Sequence, residues 1–367
     1  MNEPPLRMQL YVTTRTLAGV GIALGVIASV IMLIEFVELS RTLGGRLDMG
    51  FVDLLGLTAL KSPAVILLLL PFVILFGTMG AFVALNRGSE LVAMRAAGVS
   101  AWRFTLPSAM AAFLLGILTI CVLNPLASSL NEQFEDRRLA LTEGHARQGS
   151  EIWLRQGDDR EQIVIHARSH ETIRDVVRLH NVSLFIQSVA PKGEMGFSRR
   201  IEATEARLAP GFWRLTDARE ALPGAALVHA EQLSIPSMLD HRSAMEKVVS
   251  PQTVAFWGLS AAIRSAELAG YSSTAYRLRL QQLLATPLLF GAMSVLAAAF
   301  SLRLMRLGDL ASLAGAGVGL GFLVFFLNEL CGALGGAEVI PAAVAAWAPP
   351  SLALLAGLTL LCYTEDG

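Results

Sequence analysis

Long apolar runs and one polar insert alternate along the chain, and this pattern predicts most of its architecture. Six of the apolar runs are long enough for an α-helix to cross about 30 Å of hydrocarbon. They are Thr16–Phe36, Pro63–Leu85, Phe104–Leu123, Leu280–Leu302, Leu310–Leu330 and Val339–Cys362. The polar residues 126–280 separate the third run from the fourth. The pattern therefore predicts three spans, an inserted domain and three further spans.

The insert shows the alternation of apolar and polar residues that is typical of short β-strands. Turn residues such as Pro191-Lys192-Gly193 separate its segments. The predicted strands are Glu151–Arg155, Gln162–His166, Asn181–Gln187, Arg200–Leu208, Gly211–Thr216 and Ala226–Ile235. A polar helix over Ser128–Leu141 precedes them, and an amphipathic helical region over Pro251–Leu278 follows. A sandwich, a jelly roll and an open barrel all fit such strands.

The predicted fold class is an α-helical membrane protein with six transmembrane helices and an inserted all-β, jelly-roll-like domain. We divide the chain into residues 1–125 with spans one to three, residues 126–250 with the β domain, and residues 251–367 with spans four to six. Composition agrees, because only 16% of the residues are charged, whereas soluble domains have roughly 25%. The net charge of −1 gives no reason to expect nucleic-acid binding.

Basic residues in the short connections predict the orientation in the membrane. With six spans, most of them fall on the same side: Arg7, Arg15, Arg87, Arg95, Arg103, Arg303 and Arg306. We therefore expect both termini and residues 88–100 to be cytoplasmic and the β domain to be periplasmic. The connection after the first span, which carries Arg41, Arg46 and Lys61, is an exception to this bias.

The sequence contains no signature of an enzyme or of a metal site. Gly315–Gly321 is glycine-rich but lacks the GK[ST] ending of a phosphate-binding loop, and small residues in a span more often allow two helices to approach closely. His166 and His170 fall in a strand-like segment, where we expect exposed polar residues rather than metal ligands. We predict no catalytic residue, no metal and no bound cofactor.

Two acidic residues lie near the predicted outer ends of spans. Glu35 lies in the first span and Glu329 in the fifth. Ionisable groups at such depths are either functional or extend to the lipid headgroups. Both alternatives stay open: these carboxylates reach the headgroup zone, or they flank the mouth of a substrate pathway.

Residues 88–100, GSELVAMRAAGVS, predict a short helix between the second and third spans. Ser89 can cap its start, and Glu90 places a negative charge in the first turn. Gly98 can end it in the left-handed conformation. A helix this short needs a surface to pack on.

This segment and the plan of three spans, a β domain and three spans resemble the LptF/LptG (YjgP/YjgQ) permeases over essentially the whole chain. The segment Ile34–Leu43, IEFVELSRTL, is more similar to LptG than to its paralogue LptF. The resemblance implies a transmembrane subunit of the ABC transporter that extracts lipopolysaccharide from the inner membrane. It implies three protein partners: an LptF-like permease, an LptB-like ATPase dimer that binds ATP and magnesium, and an LptC-like bitopic protein that leads to the periplasmic bridge.

The resemblance also implies roles for particular residues. In residues 88–100, Glu90 would meet a basic group of the ATPase, Leu91, Met94 and Ala97 would fill its groove, Arg95 would flank the contact, and Gly98 would end the helix. The substrate pathway would involve the first and fifth spans, with Ile31, Glu35, Glu38, Arg41, Phe322, Phe326 and Glu329 as candidates. Glu35 departs from the family pattern, because a lysine can occur at this position to meet lipid phosphates.

Two alternative functions remain open at this point. The chain could be an LptF-type subunit or a permease for another lipid or a lipoprotein. It could instead be a membrane-anchored periplasmic sensor or scaffold whose cytoplasmic helix holds a signalling protein.

Overall fold

The computed structural model describes residues 6–44, 50–143, 152–157, 161–173, 176–189, 195–209, 211–224, 226–237, 253–268, 272–304 and 310–365. The chain forms two compact units. One consists of Met1–Arg137, Pro251–Leu259 and Thr274–Gly367 and holds the membrane helices. The other consists of Arg138–Ser250 and Ser260–Ser273 and holds the β-sheet.

The helices follow the apolar runs but extend beyond them. Within the described residues they are α1 (Leu6–Leu39), α2 (Phe51–Arg87), α3 (Glu90–Ala96), α4 (Ala101–Leu118), α5 (Asn124–Glu143), α6 (Phe256–Leu268), α7 (Thr274–Leu304), α8 (Leu310–Gly336) and α9 (Ala342–Glu365). Two π-helical turns, Ser40–Gly44 and Thr119–Leu123, continue α1 and join α4 to α5. In the described part of the chain, six continuous helical stretches are long and apolar enough to span a membrane, which confirms the predicted number.

The helix that contains the third span does not end at Asn124-Pro125, where the apolar run stops. The helical stretch continues from Ala101 to Arg138. In a regular helix the N–H of residue 125 would donate to the carbonyl of Cys121, but proline has no N–H. The Cys121 carbonyl instead accepts a long hydrogen bond of 3.4 Å from Trp257 Nε1. The π-turn and this outside donor allow the helix to pass through the proline.

Asn124 makes a second connection between the same two parts of the chain. Its Oδ1 accepts a hydrogen bond of 2.9 Å from the backbone N–H of Phe256, the first residue of α6. The start of α6 is therefore attached to the end of the third span by Asn124 and by Trp257. Both connections lie within the membrane unit.

Close helix packing in this unit depends on glycine. A Cβ at Gly77 in α2 would lie 2.4 Å from the Cα of Val20 in α1, and one at Gly19 would lie 2.3 Å from the carbonyl oxygen of Gly77. Gly317 and Gly321 of α8 pack in the same way against side chains of α2. The interpretation of Gly315–Gly321 as a helix-packing segment is therefore confirmed at two of its glycines.

Gly77→Ala should lower the stability of the protein, because its Cβ would collide with the α1 backbone, which cannot move away without opening the interface. Overpacking of this kind costs about 1–3 kcal/mol. The measurement is thermal unfolding of the purified protein in detergent. Gly80→Ala is the matched control on the same helix, since its Cβ would meet no atom within 4 Å. Equal melting temperatures for the two variants would contradict the close crossing.

The second unit contains one antiparallel sheet. Its described strands are β1 (Ile152–Gly157), β2 (Glu161–Ile173), β3 (Val176–Val189), β4 (Met195–Ala209), β5 (Phe212–Ala221) and β6 (Val228–Pro236). Each strand pairs with the next one in the chain. The predicted all-β insert is confirmed. Its described strands follow each other in a meander, whereas a jelly roll would bring non-consecutive strands together.

The first and last strands of this sheet meet at one corner through a side chain. The Nε2 of Gln156 in β1 donates to the carbonyl of Pro236 at the end of β6, at 3.1 Å. Its Oε1 accepts from Ser237 Oγ at 2.7 Å. Gln156 is itself buried. The sheet is therefore curled around its apolar face, which includes Trp213, Leu184 and Ile201.

The alternation of buried and exposed residues slips by one position in three adjacent strands. Successive buried residues are three apart, instead of two, at Leu179 and Val182 in β3, Ala203 and Ala206 in β4, and Leu215 and Ala218 in β5. The slips form one row across the sheet, in which Asn181 and Asp217 have positive φ angles of 50° and 56°. Between them, Thr204 donates to Asp217 Oδ2 at 2.7 Å. We call this row the crease.

Candidate functional site

The start of the short helix α3 differs from the prediction. Ser89 has a φ of 57° and makes no side-chain capping bond, so the predicted N-cap is wrong. A capping residue needs an extended backbone, whereas Ser89 is in the left-handed conformation at the turn from α2 into α3. Its N–H donates to the carbonyl of Asn86 at 2.8 Å. The turn therefore fixes the direction in which α3 leaves α2.

The end of α3 is the predicted one. Gly98 has a φ of 78°, which favours glycine. Its N–H donates to the carbonyl of Arg95, and the N–H of Val99 donates to the carbonyl of Met94. These two bonds form a Schellman motif, which ends a helix sharply. The predicted stop at Gly98 is confirmed.

The side chain of Leu91 faces the helix bundle. Leu91 is 2% exposed and belongs to a core cluster at the end of the bundle that carries α3. The other buried members of this cluster are Val12, Phe82, Leu85, Ala101, Phe104, Ala298, Ala299, Leu302 and Leu361. The expectation that Leu91 fills a groove of a partner protein is therefore wrong, because the bundle already covers it. Leu91 fixes α3 to the other helices.

Arg95 also faces the bundle. Its Nη2 donates to the backbone carbonyl of Thr364 in the last turn of α9, at 3.2 Å. The expected role of Arg95 beside a partner protein therefore has to be reconsidered.

The opposite face of α3 is open. Val92 is 60% exposed, and Ala93, Ala96, Ala97 and Gly98 are exposed as well. Glu90 and Met94 are half-buried at the edges of this face. The sequence prediction missed Val92 and included Leu91 instead. Two adjacent apolar residues point about 100° apart on a helix, and a segment of seven residues is too short to show which of them is buried.

Glu35 does not extend to solvent but pairs with a residue of α2. Its Oε2 lies 2.6 Å from Nζ of Lys61, which also lies 3.7 Å from Oε1 of Glu38. Glu35 is buried, whereas the Glu38 side chain is mostly exposed. Lys61 is therefore a site residue that the sequence prediction counted only as a loop charge. Lys61 thus compensates the charge of Glu35 within the protein.

The outward faces of α1 and α8 are the least covered surfaces of the bundle. These two spans have the smallest buried shares of the six candidate spans in the described residues. Phe322 is 64% exposed, and Phe326 and Glu329 continue the same stripe of α8. Gly315 and Gly319 on α8 have open space where a Cβ would be. The candidates on α8 therefore lie together on one open face.

Ile31 on α1 faces the interior of the helix bundle and not the open surface. It is 5% exposed, so the expectation that its side chain lines a pathway is wrong. A helix turns by about 100° per residue, and the neighbouring Val30, Leu33 and Ile34 are the ones that are exposed. Arg41 is exposed in the π-turn that follows α1.

Glu35 and Glu329 have different surroundings. Lys61 of α2 holds Glu35. Glu329 instead lines a small cavity of about 40 Å³ together with residues of α2, α7 and α8, among them Phe72 and Met293.

The two histidines considered as metal ligands both lie in β2. The ring of His166 stacks on Trp153 of β1, with ring centroids 4.2 Å apart. The side chain of His170 lies outside the described residues. In the described part of the chain, no group of three or more His, Cys, Asp or Glu residues could hold a metal ion.

Six candidate spans, an inserted antiparallel sheet and a short helix between the second and third spans define a multi-pass membrane protein with an inserted β domain. Residues 10–363 match the family of the lipopolysaccharide export system permeases LptF/LptG. The chain belongs to this family. It is thus a permease subunit of a lipopolysaccharide-exporting ABC transporter in the inner membrane and not itself an enzyme. No curated protein matched the chain.

Lys61→Met should destabilise the protein more than Glu35→Gln, because it leaves a buried carboxylate without a counter-charge, whereas Lys61 without Glu35 still has Glu38 nearby. The double variant should lose less free energy of unfolding than the sum of the two single losses, with a coupling free energy of about 1–3 kcal/mol. Unfolding of the purified protein in detergent measures this. Glu38→Gln is the control and should have a small effect, since the Glu38 side chain is 58% exposed. Additive effects of Glu35→Gln and Lys61→Met would contradict the ion pair.

Proposed function

We propose that this chain is the LptG-type permease subunit, which extracts lipopolysaccharide from the outer leaflet of the inner membrane. Its proposed partners are an LptF-like permease, an LptB-like ATPase dimer that binds ATP and magnesium, and an LptC-like bitopic protein. The termini and α3 face the cytoplasm, and the sheet faces the periplasm, as the basic residues of the connections favour. The observation that carries the proposal is the open face of α3, in a chain that belongs to a permease family.

The open face of α3 suits a separable contact with the ATPase. Val92 supplies an apolar side chain, Ala96 and Ala97 allow close approach, and Glu90 supplies one negative charge at the edge. Charge complementarity of this kind gives specificity and a fast association rate more than raw affinity. Leu91 keeps the helix in place on the bundle. Movement of the ATPase can thus reach the membrane helices through α3.

The open faces of α1 and α8 suit the second permease and the lipid. An apolar side chain gains little free energy when it exchanges lipid tails for the apolar surface of another helix. Helix association in a bilayer therefore depends on close packing. Gly21 and Gly25 on α1, like Gly315 and Gly319 on α8, leave backbone open for such packing. Phe322 and Phe326 present bulky apolar side chains beside these glycines. A cavity between two such subunits would be lined by groups that accept acyl chains.

Glu90→Lys and Val92→Asp should each lower co-purification of the ATPase by more than tenfold. The first sets like charges opposite each other and the second introduces a charge into an apolar contact, and each costs about 2 kcal/mol or more. Both side chains lie at or beside the open face, so the melting temperature should stay unchanged. Affinity purification through a tag on this chain, followed by quantification of each subunit, measures the effect. The second permease is the internal control, since α3 is not part of the proposed permease pair. Undiminished ATPase in both variants would contradict the docking role of α3.

Photo-crosslinking amino acids at Val30 and Phe322 should capture lipopolysaccharide during transport, because both side chains face outward. Ile31 is the matched control for Val30 and should capture little, because it faces the bundle. Mass spectrometry of the crosslinked adducts identifies the lipid. Capture of phospholipid alone at Val30 and Phe322 would contradict the substrate route, and capture of another glycolipid or a lipoprotein would assign a different cargo.

A further inference from the structure

One inward side chain of α3 reaches a helix that is distant along the chain. Along the chain, α3 is joined to α2 and α4. Arg95, however, donates to the backbone carbonyl of Thr364 at the end of α9, the sixth span. Leu91 belongs to a core cluster that contains Leu361 of α9 as well as residues of α1, α2, α4 and α7.

The chemistry of this contact suits a mechanical link. The last carbonyls of a helix have no partner within it, and a cation near them is favoured by the helix dipole. Arg95 supplies both the charge and an N–H donor to α9. Thr364 is buried, and its hydroxyl donates to the carbonyl of Leu361 at 2.8 Å. The end of α9 is therefore an ordered acceptor rather than a frayed terminus.

The helix that receives this contact is itself closely packed. α9 packs along α7, the fourth span. A Cβ at Gly357 of α9 would lie 3.1–3.3 Å from atoms of Val295 and Leu296 of α7. A displacement of α9 must therefore move α7 as well, since close-packed helices have little free space between them.

We propose that Arg95 is a positioning residue that transmits the movement of α3 to the sixth and fourth spans, and not a contact residue for the ATPase. This inference rests on the proposed function. It assigns the two faces of α3 to different tasks: Val92 and Ala96 face the ATPase, while Leu91 packs in the bundle and Arg95 holds the end of α9. The sixth and fourth spans then move with α3 when the ATPase changes conformation.

The test uses the complete transporter in lipid nanodiscs and compares Arg95→Ala with the wild type. The measured quantity is the amount of lipopolysaccharide released per ATP hydrolysed. Arg95→Ala should keep the ATPase bound and hydrolysing, while this ratio falls at least about fivefold, the lower end of typical coupling effects. Arg95→Lys keeps the charge and a donor and should recover part of the ratio. Arg87→Ala removes an exposed cation of α2 and should behave as the wild type.

A second measurement reports the link directly and does not depend on the cargo. Spin labels at Ala97, the residue after α3, and at Tyr363 of α9, both exposed, are placed in a protein without its three native cysteines. This protein is measured without the ATPase, because Ala97 lies on the face proposed to contact it. The distance distribution between them should broaden with Arg95→Ala and stay narrow with Arg95→Lys and Arg87→Ala. If the wild-type transporter released no lipopolysaccharide, the proposed function would fail, yet this distance would still test the link.

Two results would overturn the inference. Loss of the ATPase from the Arg95→Ala complex would make Arg95 a contact residue for the ATPase. If Arg95→Ala released as much lipopolysaccharide per ATP as the wild type and left the distance distribution unchanged, the hydrogen bond to α9 would not transmit movement.

Discussion

Hydrocarbon offers no hydrogen-bond partner, so each irregular point of a membrane helix needs a partner from the protein. The bundle follows this constraint where Pro125 interrupts the third span, because Trp257 donates to the freed carbonyl of Cys121. Between α1 and α4, the hydroxyls of Thr16 and Ser108 pair at 2.8 Å in a buried position. At the end of α9, the Thr364 carbonyl likewise accepts from a side chain of another helix, Arg95 of α3. Side chains that are distant along the chain thus supply partners for polar groups of the bundle.

Much of the fold follows from the sequence. The six spans are long apolar runs, and each predicted strand overlaps a real one. The predicted ends of the helices were too early because polar residues continue the helices. The predicted ends of the strands were wrong because the crease interrupts the alternation of buried and exposed residues. The predicted segment Gly211–Thr216 ends just before this row, and Asn181–Gln187 begins in it. A strand predicted from alternating apolar and polar residues ends where this alternation shifts by one position. Only the pairing with neighbouring strands shows that the strand continues beyond that point.

The candidate site was only partly predictable, for a different reason. The position of α3 between two spans and its end at Gly98 are local features. Which of its faces is buried depends on the cluster around Leu91, to which helices from the whole membrane unit contribute. Seven residues make fewer than two turns at 3.6 residues per turn, so the sequence of α3 alone cannot decide between Leu91 and Val92. In the structure Leu91 is buried, Val92 is exposed, and Arg95 is directed towards α9.

The charges near the end of α1 show that the effect of one charged residue cannot be judged without its neighbours in space. Glu35 alone would place a negative charge where the phosphates of a lipid are expected to lie, which would repel them. Lys61 cancels that charge within hydrogen-bonding distance, at 2.6 Å. Glu38 and Arg41 are both exposed and have opposite signs. Two carboxylates and two cations leave no net charge among these four residues. The carboxylate that the sequence singles out is thus the one whose charge is already balanced inside the protein.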